Sequence, residues 1–465
     1  MSLLADTDMT APLMSLVGVG FGPANLSLAL ALKESGVDRG VMFMEMRNKF
    51  AWHPGMMLPK ATMQISYLKD LATPRNPCSF FTFTNYLKQR GRLDRFINLQ
   101  TFYPTRLEFN DYLEWAAAQV DDFVLYRTEV VGLEPVDLGT QRRIRVHYRG
   151  ADGSTRWLDA LNVSVATGHR PYVPSVAKAS LGSSVFHASE FVDRIGQLEG
   201  RPALRFAIIG GGQSAAEIAN CLYHCFPQSE ISWYIKQFAL QPMDDTPFVN
   251  ELFSEWMIDH WFHSPSRHRR ELLGSYRQAN YAAVDAELID DLYRGLYDDS
   301  VCGRSRLRIH NLSELVSAAV HDNCVRLVVK DLVEGSVTTS TVDVAVLATG
   351  YTKENYSHLL RNFDGYLERD DHGRYAVDRH YRIRTASASS ANIFVLGCNE
   401  DTHGIGDSLL SNVATRADDV LRRVFAADRP ARDGEDGLIA SEDALEPALE
   451  VNRAAFSSYA AARPR

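Results

Sequence analysis

The chain has 465 residues, 45% hydrophobic and 23% charged, an ordinary balance for a folded protein with room for two or three domains. Its 49 basic and 58 acidic side chains leave a net charge of −9, a field that repels nucleic acid and acidic membranes. No apolar run approaches the ~18 residues of a membrane span, and the opening stretch with Asp6 and Asp8 lacks the basic start of a secretion signal, so a cytoplasmic, multidomain enzyme is expected.

In chain order, Leu13 to Val19 is a short apolar run, glycines follow, Ala24 to Leu32 is rich in Ala and Leu, and Val41 to Met46 is a second apolar run holding an acid. This reads strand, tight turn, helix, strand, one βαβ unit. Residues 162–166 form a further apolar strand that ends at Thr167-Gly168. The opening grammar then returns: Arg205–Ile209, a turn at Gly210 to Gly212, a helix from Ala215 to Tyr223 and a strand from Ile231 to Ile235. Residues 248–297 are aromatic, helical in period and rich in His and Arg, an inserted helical layer on the second unit. Residues 342–348 repeat the strand that ends in Thr-Gly, here Thr349-Gly350-Tyr351. From about Ala426 onward, acidic clusters alternate with Ala, and no function is assigned to that extension.

The first turn, Gly18-Val-Gly-Phe-Gly-Pro23, places Gly18 at the tight bend and Gly20 where a pyrophosphate can approach the backbone at a helix N-terminus. Pro23 holds the third glycine slot and suits the first helical turn. Glu45 closes the next strand, where a carboxylate accepts both ribose hydroxyls and favours FAD or NAD over a 2′-phosphorylated nucleotide. The second turn, Gly210-Gly-Gly-Gln-Ser-Ala215, has no acid after its following strand; Lys236 stands there instead. A cation at that point pairs with a 2′-phosphate and favours NADPH, although a merely solvated lysine reads the same way. Two dinucleotide turns in one α/β chain suit a tightly held FAD and a visiting NADPH. Cys221 and Cys225 could share a helix face, but no second pair stands at zinc spacing, so no metal is expected. The chain also lacks the early close cysteine pair of flavin disulfide reductases.

Six stretches in order, Gly18-Val-Gly-Phe-Gly-Pro-Ala-Asn-Leu26, Met63-Gln-Ile-Ser-Tyr-Leu-Lys-Asp-Leu71, Arg75-Asn-Pro77, Gly210-Gly-Gly-Gln-Ser-Ala-Ala-Glu217, Pro247-Phe-Val-Asn-Glu251 and Ala348-Thr-Gly-Tyr351, together resemble the microbial N-hydroxylating flavin monooxygenases. The nearest resemblance is to the L-ornithine N5-monooxygenases of hydroxamate siderophore biosynthesis, over residues 13–425. It implies an α/β architecture of two Rossmann-like domains, FAD-binding at 13–170 and 335–425 and NADPH-binding at 200–334, with a helical substrate insert at 240–300. A homotetramer and a small-molecule amine substrate are implied too, with no nucleic-acid or membrane partner.

The resemblance also implies site residues. For FAD these are Gly18, Gly20, Gly22, Pro23, Glu45, Trp52, His53, Met63, Gln64, Val130, Ser408, Leu409 and Leu410. For NADPH they are Gly211, Gly212, Gln213, Ser214, Lys236, Asn280, Tyr281 and Ala282; for the substrate, Lys69 at its carboxylate, Asn250, Asn280 and Ser411. Taken alone, Trp52, Met63 and Phe248 read more readily as core, and Asn25 and Asn250 as turn or cap residues. His403 invites a reading as a base, but its neighbour Gly404 argues for a loop role near the flavin edge. No side chain is assigned as catalyst, with Asn280 the one candidate, because inserting oxygen into an amine lies beyond side-chain chemistry. The implied cycle reduces FAD with NADPH, forms a C4a-hydroperoxide with molecular oxygen and transfers the distal oxygen to the neutral amine. Ala282-Ala283-Val284 departs from the Ser-Val-Val frequent in ornithine enzymes and leaves L-lysine, putrescine or cadaverine open as the amine. A non-hydroxylating flavin/NADPH electron-transfer protein is the more distant alternative, and it would not need Lys69, Asn250 and Asn280.

Overall fold

The computed structural model describes residues 13–425 apart from 38, 139–140, 199, 202, 353–355 and 387–390; the C-terminal extension from 426 lies outside the described residues. Residues 13–424 lie in one compact unit, built on two larger sheets, smaller sheets beside them and a helical insert.

In the first sheet, Leu13–Val19 lies between Val41–Glu45 and Thr155–Val165, all parallel, with Val17 opposite both Met42 and Val163. Val124–Tyr126 extends one edge, and Asn392–Val395 also runs parallel to Thr155–Val165. A parallel strand covered on both faces must be apolar throughout, which is why Leu16 and Val17 have no solvent exposure. The strand expected at 162–166 starts earlier, at Thr155. Its first half carries Thr155, Arg156 and Trp157, so no apolar run marks it, yet it pairs antiparallel with Gln141–Arg149 and through that with Glu129–Leu138.

The second sheet runs Leu307–His310, Glu230–Tyr234, Arg205–Ile209, Val344–Leu347, Val185–His187, all parallel. Its membership corrects the expected return to the first unit at 335. Val344–Leu347 pairs with Arg205–Ile209, and Val337–Val342 closes an antiparallel sheet with Ser313–His321 and Cys324–Asp331. The four buried residues of Val344–Leu347 need apolar cover on both faces, and the second sheet supplies it.

The insert leaves and returns at adjacent points, because Gln241–Pro242 pairs with Ala283–Val284. The layer expected over 240–300 divides at this neck. Helices Glu255–His263 and Ser266–Ser275 stand in the insert. Ala286–Val301 instead packs against helix Gln213–Cys225, where Tyr223 Oη donates to the Gly295 carbonyl at 3.0 Å. Phe253, Ala279 and Ile405 make a small buried core that ties the insert to the chain's last third, and Gly404 lies against Trp261.

Candidate active site

The first glycine turn is built by close approaches. A Cβ at Gly18 would stand 2.1 Å from the Phe43 ring, and one at Gly20, where φ is +81°, would stand 2.7 Å from the Ala166 carbonyl oxygen. At Gly22 a Cβ would meet nothing within 4 Å. Gly22 caps helix Pro23–Glu34 without a side-chain hydrogen bond, and Pro23 takes the first helical position. The turn thus offers open space in front of uncapped backbone N–H groups, which is what a pyrophosphate requires. Asn25 is wholly buried and is the clamp of this turn: Nδ2 donates to the Gly20 carbonyl at 2.7 Å, and Oδ1 accepts from Ser164 Oγ at 2.6 Å. Glu45 accepts from the N–H groups of Phe21 (2.8 Å) and Arg47 (2.9 Å), which aims its carboxylate along the turn. Val130 is half-buried at a bulge in the neighbouring strand.

The segment after Glu45 bends back over this end of the sheet. Trp52 rests edge-on against Phe109 and His53. His53 has a left-handed backbone, φ +43°, and its ring meets Tyr351. The residue is exposed at the surface, yet desolvation by the protein around its ring, followed by Arg106, Arg47 and His169, lowers its pKa to about 4, so the imidazole is neutral near pH 7. Met63 is buried, its N–H bonded to the Pro104 carbonyl, and Gln64 is half-buried beside it. Two hydroxyls, Thr167 Oγ1 and Ser411 Oγ, are buried with no hydrogen-bond partner. Thr167 follows Ala166 at the Gly20 approach, and Ser411 follows Ser408, Leu409 and Leu410, which are half-buried. The orphaned Thr167 hydroxyl beside the open first turn fits a bound group that satisfies it.

In the second turn Gly210 has φ +137°, and a Cβ there would come within 2.1 Å of the Ala348 carbonyl oxygen. Gly212 caps helix Gln213–Cys225, again with no side-chain hydrogen bond. A Cβ on Gly212 would stand 3.6 Å from the Ala282 Cα, so Ala282 lies against the turn. Ala282 itself is left-handed, φ +57°, a strained conformation of the kind that collects at functional sites. Gln213 is committed elsewhere: its Nε2 donates to Glu217 and Asp285, and its Oε1 accepts from the Asp285 N–H. Its main-chain N–H remains the group it can present to a phosphate, with Gly211 and Ser214 on either side. Lys236 is exposed and bonds Glu314 at 2.6 Å, a partner 78 residues away that the sequence did not disclose. A 2′-phosphate there must share or replace this carboxylate.

Between the two turns in sequence, Lys69 is half-buried with Nζ 5.5 Å from the centre of the Phe253 ring. Desolvation lowers its pKa, with Glu251 acting in the opposite sense. Its neighbour Asp70 turns inward and accepts from the N–H groups of Ala72, Thr73 and Phe83, so Lys69–Asp70 is no surface pair. Phe253 and Ile405 share their small core with Tyr281 and Leu409. The Tyr281 hydroxyl stands near Glu400, Ser408 and Asn280, and burial followed by Glu400 holds it well above the usual phenol range. Lys69, Asn280, Tyr281 and Leu409 are therefore gathered around one apolar patch. Asn250 Nδ2 donates to the Asp245 carbonyl at 2.7 Å, a turn contact. Phe248, next to it, is 92% exposed and is not core. His403 is buried, stacked on Tyr381, with Nε2 donating to the Arg379 carbonyl and Nδ1 facing the Thr402 hydroxyl. Both ring nitrogens are occupied, and this removes it as a base.

Sequence reasoning passed over Asn25 as a cap, and it missed Thr167, Phe253 and Glu400. Asn25 and Thr167 stood inside motifs it quoted; Phe253 and Glu400 carry no local signal. Cys221 and Cys225 do share a helix face, their sulfurs 3.9 Å apart. Among the described residues no cluster of three or more His, Cys, Asp or Glu could hold a metal.

The family model for L-lysine 6-monooxygenase/L-ornithine 5-monooxygenase matches residues 13–353. The chain belongs to that family. Within it, the chain is 41% identical over 400 residues to an L-ornithine N(5)-monooxygenase of Burkholderia cepacia, covering 84% of this chain and 89% of that one. Among solved structures of the family it is similar to the ornithine N-hydroxylase of Kutzneria sp. 744, solved with reduced FAD, NADP⁺ and L-ornithine: TM-score 0.86, 39% identity, 89% of this chain and 99% of that. The L-lysine 6-monooxygenase of Pseudomonas syringae stands further off, at 28% identity and TM-score 0.78, covering 90% of this chain and all of that one.

Proposed function

We propose that this protein N-hydroxylates the side-chain amine of L-ornithine with FAD, NADPH and molecular oxygen, giving a hydroxylamine for a hydroxamate siderophore or a related product. The observation that carries this is the placement of Lys69, Asn280 and Tyr281 around one apolar patch, next in sequence to Ala282, which packs on the second glycine turn. In this reading the first sheet, with its returning strand Asn392–Val395, holds FAD through the Gly18–Pro23 turn, Glu45, Thr167 and the 408–410 segment. The second sheet holds NADPH at Gly211–Ser214, and the insert supplies the substrate wall. Bound FAD, reduced by NADPH, supplies the activation of oxygen that no side chain provides.

The chain's own residues do the rest. Glu45 accepts the ribose hydroxyls, and the first turns of helices Pro23–Glu34 and Gln213–Cys225 face the pyrophosphates. Lys69 takes the substrate carboxylate at one end of the patch. Asn280, beside the Tyr281 hydroxyl, is read as the group next to the reacting amine. Ornithine's side-chain ammonium has no lone pair with which to take up oxygen and carries an ordinary pKa near ~10.4. The apolar wall of Phe253, Ile405 and Leu409 disfavours that charge and keeps out water. Fixing both ends of the amino acid matters because one methylene is worth only ~1–3 kcal/mol. A diamine brings no carboxylate to the half-buried Lys69 ammonium, which then keeps Glu251 alone as its opposite charge, so an amino acid fits better. Greater identity to ornithine-acting than to lysine-acting relatives supports ornithine between the two. A homotetramer follows from the family resemblance, and a cytoplasmic location from dependence on NADPH. The test is a panel of L-ornithine, L-lysine, putrescine and cadaverine, scored by hydroxylamine formed. L-Ornithine is expected to give the highest kcat/KM, and a diamine in first place overturns the assignment.

A further inference from the structure

The two sheets meet through a small set of groups that the reaction itself does not use. Arg106, at the start of helix Arg106–Ala118, forks onto Glu217 in helix Gln213–Cys225. Nη1 donates to Oε2 at 2.8 Å and Nη2 to Oε1 at 2.7 Å, and Nη1 also reaches the Met56 carbonyl at 3.1 Å. The side chains keep only 13% and 5% of their exposure. Glu217 Oε1 also accepts from Gln213 Nε2 at 3.0 Å, and Gln213 continues to Asp285. Beside this chain of bonds, Met56 and Leu58 of the first unit lie in the core of the second, with Phe186, Phe206 and Ile208. The Gly55 backbone presses so closely on Ser189 that a Cβ would come within 1.8 Å of its carbonyl oxygen.

Each half of this contact has a different consequence. Met56, Leu58 and Gly55 give adhesion and shape, which permit small sliding at little cost. A buried bidentate guanidinium–carboxylate pair is directional, and its geometry is lost with small rotations. Glu217 stands where both demands converge. One of its oxygens faces the first unit only, and the other is shared between Arg106 and the residue that opens the second glycine turn.

We propose that Glu217 is a positioning residue for NADPH. Through Arg106 it fixes the angle of the second unit on the first, and through Gln213 it fixes the second turn, so that the nicotinamide is presented to the flavin at hydride-transfer distance. This rests on the FAD/NADPH reading above. A misplacement of about 1 Å costs roughly a hundredfold in rate, while nucleotide affinity, set by the turn itself, changes far less.

The test compares wild type with Glu217→Gln, which keeps the shape and removes the charge, and with Arg106→Lys, which keeps a charge and removes the fork. Three quantities are measured: the limiting rate of anaerobic flavin reduction at saturating NADPH, oxygen reaction of the dithionite-reduced enzyme, and the radius of gyration of the cofactor-free protein by X-ray scattering. The limiting reduction rate is expected to fall by at least about tenfold in both variants, with reoxidation unchanged and a larger radius of gyration. A purely structural pair would lower the melting temperature and leave the limiting rate alone. A folded variant reduced at the wild-type limiting rate overturns the proposal. Should Glu217→Gln fail to fold, Arg106→Lys decides by the same criterion. Wild-type protein that NADPH does not reduce would overturn the cofactor reading first and this inference with it.

Discussion

Lys69 shows how a single side chain carries the substrate reading. Its ammonium is half withdrawn from water, stands over the Phe253 ring, and has its pKa lowered by that burial. A carboxylate arriving there gains a charge-assisted partner where water competes poorly. Lys69→Ala should therefore cost about 2 kcal/mol of ornithine binding, roughly thirtyfold in apparent affinity, with flavin reduction by NADPH retained; unchanged ornithine affinity would remove Lys69 from the site. His403 makes the opposite case. Burial first lowers its pKa to about 4, against about 6.5 in an unfolded chain. Between those values the unfolded state takes up a proton that the folded state refuses, so stability rises with pH across this window. The folded chain should lose on the order of a few kcal/mol between pH 6.5 and 4, and His403→Gln should flatten that part of a melting-temperature profile. An unaltered profile would mean that other groups carry the acid sensitivity. The geometry of Gly18, Gly20 and Glu45 was legible because it belongs to one strand, turn, helix, strand unit, whereas Lys69 was named by the resemblance and its neighbour Phe253 lies far along the chain. The partners that decide Lys236 and His403, namely Glu314 and the Arg379 carbonyl, lie 78 and 24 residues away. No local pattern announces them.

Among elements, the two strand–turn–helix units were readable almost residue by residue, since an apolar strand, a glycine bend and a small-residue helix each state their own geometry. Thr155–Val165 and Val344–Leu347 were not. The first begins among polar residues outside the core, and the second has the same apolar run whichever sheet receives it. The loop from Asn399 to Ser411 was quoted only piecemeal, although it is one built object. Asp407 accepts from the Asn399 N–H at 2.6 Å and pairs with the buried Arg416 beneath it. Gly404 turns it with φ +86°, and a Cβ there would stand 3.0 Å from the Trp261 ring. Gly404→Ala should cost about 2–4 kcal/mol from backbone strain plus overpacking. Denaturant unfolding reads this directly, and a loss below about 1 kcal/mol would show that the loop is not tightly held against the insert.

For the whole molecule, the length that first suggested two or three domains resolves into two larger sheets, each with a glycine turn, and an insert whose small core joins the chain's last third. Each sheet brings one glycine turn, and neither alone carries the proposed substrate wall. In that proposal the wall takes Lys69 from the first unit, Phe253 and Tyr281 from the insert and Leu409 from the last third. Such a site exists only when the chain is fully assembled, and this is why composition and charge could exclude partners without naming a substrate. The most direct measurement is mass-spectrometric quantitation of N5-hydroxy-L-ornithine against NADPH consumed by the purified, FAD-loaded protein in air. The account predicts this product in near one-to-one ratio to NADPH. NADPH oxidation that yields hydrogen peroxide and no hydroxylated amino acid would contradict it.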